Sequence, residues 1–252
     1  MQVASSALLG LCAFSIAACS THTAYKNTVD VLESYKTAPS VQEASEDHWL
    51  RAQRYRAAAE RGDSRAMHNI GYMYQSGLGV RRDYAEAIAW YTRAARKGEA
   101  LAMTNLGYMH ENGLGVAASD EEAIRWYGLA AEAGDAFAMD NLGNMQYAGR
   151  GFARSYFEAA KWYRKAAERG FPVSMARLAR MYHRGEGVAR NDEYAYAWAA
   201  LAMDRSQGKA QRDEYLPIVV HLAQELDDKG FERAKRVKDE LARAIPAFPE
   251  HF

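Results

Sequence analysis

The sequence predicts an all-α fold, a solenoid of antiparallel helix pairs stacked as repeats. Three observations predict it. A tryptophan recurs every 36 residues, at Trp90, Trp126, Trp162 and Trp198. Met67, Met103, Met139 and Met175 keep that spacing, as do the glycine pairs Gly77/Gly79, Gly113/Gly115, Gly149/Gly151 and Gly185/Gly187. Between these markers the apolar residues fall at helical spacing. A fixed period of about 20–50 residues marks supersecondary units that bury their apolar faces only by stacking on one another.

The chain opens differently. Ala7 to Ala18 carries no charge and is apolar apart from Gly10 and Ser15. That run is too short to span a bilayer as a helix, and it fits the apolar part of a secretory signal. It ends in Ile16-Ala17-Ala18-Cys19, which resembles the bacterial lipoprotein signal. The resemblance implies a signal segment over 1–18, cleavage before Cys19 and lipidation of Cys19. Met1 to Gly10 lacks Lys and Arg, a departure from the pattern that keeps plain secretion as an alternative. The remaining cysteine, Cys12, lies inside the signal, so the mature chain would form no internal disulfide. Ser20, in place of an aspartate, implies the outer membrane. Residues 19–46 are polar and mixed and read as a lipid-anchored tether.

The repeat starts with half a unit. Asp47 to Gly62 matches the second half of later units, with Tyr55 at the place of Tyr91 and Ala58-Ala59 at that of Ala94-Ala95. Four full units follow, at 64–99, 100–135, 136–171 and 172–207. In each, a first helix begins after Asp63, Glu99, Asp135 or Phe171. A carboxylate there can bond free amides, and Pro172 suits a first helical position. Gly71, Gly107 and Gly143 interrupt that helix at a cost of about 1 kcal/mol each, which close approach of the partner helix would offset. The paired glycines then make a turn, plugged by Val80, Val116, Phe152 and Val188. The second helix starts at Asp83, Ser119, Ser155 and Asn191, all good N-caps. Glu86, Glu122 and Glu158 stand three residues on and suggest capping boxes. Gly98, Gly134 and Gly170 end the second helix. The tryptophans lie among alanines and read as core.

After 207 the repeat decays. Ile218, Val219, Leu222 and Leu226 keep helical spacing, and so do Phe231, Ala234, Val237, Leu241 and Ile245. Residues 208–252 are therefore expected to form capping helices, with Pro217 in a first turn or at a kink and Pro246 and Pro249 ending the last one.

The string Asn-Leu-Gly-Tyr-Met…Gly-Leu-Gly-Val…Glu-Ala-Ile-Arg-Trp-Tyr…Ala-Ala-Glu-Ala-Gly, over 105–134, resembles the Sel-one-like repeat, a relative of the tetratricopeptide repeats. The resemblance covers 47–207 and implies a right-handed superhelical solenoid whose first helices line a concave face. It also implies an adaptor or scaffold. On that pattern three rows would line the groove: Asn69, Asn105, Asn141 and Arg177; Tyr72, Tyr108, Asn144 and Arg180; Gln75, Glu111, Tyr147 and His183. Asparagine amides can hold a peptide backbone, since each offers donor and acceptor. Arg177, Arg180 and Arg184 lie at helical spacing and could grip a carboxylate.

The expected function is a lipid-anchored envelope scaffold that binds a protein or peptide. A structural part of an envelope machine is the alternative. Net charge is zero, with 32 basic and 32 acidic residues, so no broad electrostatic footprint for nucleic acid exists. The seven histidines form no ligand motif, and no metal or cofactor is expected. Some cysteine-rich members of the family act on β-lactams, but they carry a disulfide in each repeat. The expectation is no enzyme and no small-molecule substrate.

Overall fold

The computed structural model describes residues 48–206 and 208–248. The signal segment, Cys19, the tether and Asp47 lie outside those residues, as do Gln207 and positions 249–252. Among the described residues the chain is all helix, with no strand. Helix α1 (His48–Glu60) is the half unit. The first full unit holds α2 (Ser64–Ser76) and α3 (Tyr84–Ala95), the second α4 (Ala100–Asn112) and α5 (Asp120–Glu132). The third holds α6 (Ala136–Ala148) and α7 (Tyr156–Glu168), the fourth α8 (Pro172–Arg184) and α9 (Asp192–Arg205). Helices α10 (Lys209–Gln224) and α11 (Asp228–Ala244) complete the chain. Within a unit the two helices pack together, and each second helix packs on the first helix of the next unit.

Capping follows the sequence with two corrections. Asp63 accepts from the Ala66 amide, and Asp135 from those of Phe137 and Ala138. Glu99 makes no such bond and accepts from Ser64 Oγ at 3.3 Å instead. The second helices are capped by Asp83, Ser119, Ser155 and Asn191, each accepting from an amide in the first turn. In two of the expected capping boxes, Glu122 and Glu158 turn outward to Arg125 and Lys161. The N-cap amides do not need the glutamates. In every unit that amide bonds a first-helix carbonyl nine residues back, as Ser119 does with His110 at 2.9 Å.

The glycines set how closely the units approach. Gly79 sits at φ 67°, and a Cβ there would lie 2.1 Å from the His48 carbonyl oxygen. Gly187 meets the backbone of Tyr156 just as closely. Each loop thus rests on the start of the preceding second helix. Inside the first helices the close approach is to a tyrosine ring. A Cβ at Gly107 or Gly143 would lie 2.6 Å from Tyr127 or Tyr163.

Those tyrosines are buried more deeply than the tryptophans. Tyr91, Tyr127 and Tyr163 are all buried. Trp90 and Trp198 are also buried, but Trp126 and Trp162 are only half-buried. A cation lies over three of the indoles: Arg93 on Trp90 at 4.1 Å, Arg125 on Trp126 at 4.5 Å and Lys165 on Trp162 at 4.1 Å. The expectation that all four tryptophans are core therefore needs correction. The residue one position further on faces the glycine, and the indole is left at the core's edge under a basic side chain.

The end of the stack departs from the repeat. Asp227 caps α11 through the Gly230 amide, and it stands 36 residues after Asn191, so the spacing persists. Yet α10 and α11 both pack on α9. Helix α11 runs alongside α9 in the same direction, with Arg233 paired to Glu193 near its start and Lys238 to Asp204 near its end. Arg205 donates to the carbonyls of Ala242, Ile245 and Pro246, and Phe248 reaches back to Phe137 and Phe171. Pro217 lies inside α10, beyond its first turn.

Candidate binding face

The first helices α2, α4, α6 and α8 bring the three expected rows to one side of the stack, but the rows differ in what they leave available. The first row is a seam between units. Asn105 and Asn141 are buried and Asn69 is half-buried. The Asn105 amide donates to Nε2 of His68 at 2.9 Å, and Nδ1 of His68 faces Asn69 Oδ1 at 3.2 Å. The ring is therefore a neutral tautomer with its proton on Nδ1. Burial, with Arg65 adding to it, lowers the His68 pKa to about 4. One seam further on, Thr104 donates to the buried Asp135, whose carboxyl burial pushes above the usual range.

The seam between units three and four is ionic. Arg177 was expected to engage a ligand carboxylate; it already holds one. Its guanidinium pairs with Asp140, and both groups are buried. Asp140 also accepts from Ser174 Oγ at 2.6 Å and from Asn144 Nδ2 at 3.3 Å. The guanidinium lies 5.7 Å from the Tyr163 ring. Each member of this cluster is satisfied within the chain, as a buried charge must be.

The second row is the more open one. Tyr72, Tyr108 and Asn144 are half-buried, and Arg180 is exposed. Asn144 accepts from the Tyr163 hydroxyl at 2.9 Å. The third row serves the loops. Gln75 and Glu111 accept from the hydroxyls of Tyr91 and Tyr127, each at 2.7 Å. Glu111 also meets Arg150 at 2.6 Å, and Arg150 reaches Asp120 at 2.5 Å. Burial raises the Glu111 pKa against both of these bonds. The Tyr147 hydroxyl donates to Glu186, and His183 faces Asp192. Sequence reasoning missed the loop staples Arg150 and Glu186. Their signal is a charge where the first two units carry Leu78 and Leu114.

What keeps solvent-accessible surface on this face is Tyr72, Tyr108, Arg180 and Arg184, the tyrosines half-buried and the arginines exposed, whereas Asn144 is held by Asp140 and Tyr163. Arg184 is exposed and meets Glu186 only at 3.6 Å. Such a face offers hydrogen bonds and stacking to a macromolecular ligand. Among the described residues no group of three His, Cys, Asp or Glu side chains could hold a metal, and no helix is long and apolar enough to cross a membrane. One cavity of about 730 Å³ lies elsewhere, between α1 and α3, lined by Trp49, Arg56, Tyr74, Glu86 and Trp90 among others.

The chain matches the Sel1 repeat family at residues 64–99, 100–135, 136–171 and 172–206. Its fold is similar to that of a Sel1 repeat protein from Oxalobacter formigenes, with 27% identity over 90% of this chain and 91% of that one and a TM-score of 0.67. An immunity protein from Pseudomonas aeruginosa, PA5088, shares the fold at 22% identity and a TM-score of 0.52, over 86% of this chain and 81% of that one. No curated protein matches the chain.

Proposed function

Because the chain belongs to the Sel1 repeat family, whose repeats generally mediate protein–protein interaction, we propose that it is a lipid-anchored envelope scaffold. In this reading the first-helix face binds a protein or peptide, and Cys19 carries the lipid. The observation that supports the binding half is the division of that face. Its seam residues Asn105 and Arg177 are buried against partners in the chain, whereas Tyr72 and Tyr108 are half-buried and Arg180 and Arg184 exposed. The anchor rests on Ile16-Ala17-Ala18-Cys19. Ser20 after the cysteine favours the outer membrane, facing the periplasm. Sel1 repeat scaffolds are typically non-catalytic, and binding alone accounts for the groups on this face.

Two experiments test the halves separately. Fractionation of cells carrying Cys19→Ala should move the chain out of the membrane pellet and change its gel mobility; an unchanged pellet and mobility would remove the anchor. Crosslinking of the envelope fraction, with the wild type beside Tyr72→Ala/Tyr108→Ala, should give a discrete adduct that the double variant loses. An adduct of equal yield in both would place binding elsewhere than on the second row.

A further inference from the structure

The open face changes character at its C-terminal end. Helix α8 carries Arg177, Arg180 and Arg184 and no acidic residue. Asp140 neutralises Arg177 from behind. Arg180 is exposed and makes no ion pair among the described residues, and Arg184 meets Glu186 only at 3.6 Å. Two cations are thus left forward of the seam, in a chain whose net charge is zero.

An apolar strip stands beside them. Helix α10 packs on α9 as every first helix packs on the second helix before it. The His221 ring meets the His183 ring edge-on at 5.7 Å, so α10 runs beside α8. Tyr215 of α10 lies in the same buried cluster as Leu178 and Met181 of α8. Leu216 lies on α10 five residues before His221, on the exposed side of that helix. Leu216 is 47% exposed and Val220, one turn on, 46% exposed, with exposed Pro217 between them. These are large apolar surfaces for a solvated helix, and that helix runs beside the one that carries Arg180 and Arg184. Asp213 and Glu214 are also exposed on α10, at its start, but neither makes an ion pair with Arg180.

We propose that this end of the face binds an acidic segment of a protein partner that carries an aliphatic or aromatic side chain close to its carboxylates. Arg180 and Arg184 hold the carboxylates, and Leu216, Pro217 and Val220 take the apolar side chain. The charge decides the sign of the ligand: a basic segment would bring cations against the unpaired Arg180 and against Arg184, which Glu186 meets only at 3.6 Å. The apolar strip decides its second requirement, since exposed charge pairs alone are screened by salt and bind weakly. This proposal rests on the first-helix face being the binding face.

The probe is a short fluorescent peptide of alternating Glu and Leu, with a Lys-for-Glu version as control. Anisotropy titration of the full chain should show saturable binding of the acidic peptide, weakening as salt rises, and none of the basic one. Arg180→Glu and Leu216→Asp should each weaken it about tenfold or more, while Leu129→Ser, at an exposed position on the second helix α5, leaves it within about twofold. All three positions lie off the core, and unchanged far-UV circular dichroism melts would confirm that the variants fold. Equal binding of the two peptides, or no effect of either Arg180→Glu or Leu216→Asp, would overturn the proposal. If only Leu129→Ser weakens binding, the peptide sits on the second helices and the proposal is wrong. If the acidic peptide does not bind, the acidic ligand is wrong, and the Tyr72/Tyr108 crosslinking result still judges the face independently.

Discussion

The first three units and the fourth solve the same packing problem with different residues. In units one to three a glycine in the first helix receives a tyrosine ring from the second: Gly71 with Tyr91, Gly107 with Tyr127, Gly143 with Tyr163. In unit four both partners change together. Ala179 replaces the glycine and Ala199 the tyrosine, and both are buried in one apolar cluster. A methyl added on one side accompanies a ring removed on the other. The remaining irregularities of unit four divide in the same way. Arg177 answers the buried Asp140, and Tyr194, at the place of Glu122 and Glu158, stacks on Tyr182 at 5.3 Å. Arg180 has no such internal reason, and Arg184 meets Glu186 only at 3.6 Å. Departures from a repeat therefore need sorting by their partners before they are read as function.

The largest expected effect tests the tyrosines against the tryptophans. Tyr127→Ala should lower unfolding free energy by about 3–5 kcal/mol in urea melts, since it empties a fully buried site and leaves Glu111 without its hydroxyl. Trp126→Ala, at a half-buried site under Arg125, should cost less, about 1–3 kcal/mol. The reverse order would restore the tryptophans as core.

Next comes pH. Unfolded, His68 titrates near 6.5; folded, it does so at about 4. Between those values the unfolded chain binds the extra proton, so the neutral ring's contribution is complete above pH 6.5 and is lost as pH falls toward 4. The loss is up to roughly 3 kcal/mol. Asp135, with its raised pKa, works in the opposite direction and is common to both chains of the comparison. His68→Gln should therefore flatten the decline in Tm across this window relative to the wild type. Parallel curves would contradict the buried neutral imidazole.

The smallest effect is the most diagnostic. Gly143→Ala alone should cost about 1–3 kcal/mol, because the new methyl meets the Tyr163 ring. In a Tyr163→Ala background the same change recreates the pair found in unit four. There it should be neutral or stabilise by up to about 1 kcal/mol, as alanine does over glycine in a helix. Additive effects would mean that the ring and the glycine are not coupled.

The fold was largely legible because its determinants are local. Period, N-caps and turn glycines sit at fixed offsets, and each acts within a few residues of itself. What was not legible depends on direction. Trp126 and Tyr127 are neighbours in the same apolar stretch, and only the position of Gly107 on the other helix decides which of them points inward. The asparagine row was assigned to the groove by analogy. It lies instead where adjacent first helices meet, so Asn105 is consumed by His68 and Arg177 by Asp140. Those partners stand 37 residues away, one unit plus one position, an offset that a strict 36-residue alignment does not compare. The sequence pattern also placed Arg180 and Arg184 on the face, but the exposed apolar residues of α10 read only as part of an end cap.

The central claim is that neighbouring arginines on one helix have been divided between structure and recognition. Equilibrium urea unfolding of Arg177→Met and Arg180→Met, side by side, tests it most directly. Arg177→Met should lose about 3–5 kcal/mol, because it strands the buried carboxylate of Asp140. Arg180→Met should stay within about 0.5 kcal/mol of the wild type, as an exposed residue without a partner does. Equal losses in the two variants would contradict the account.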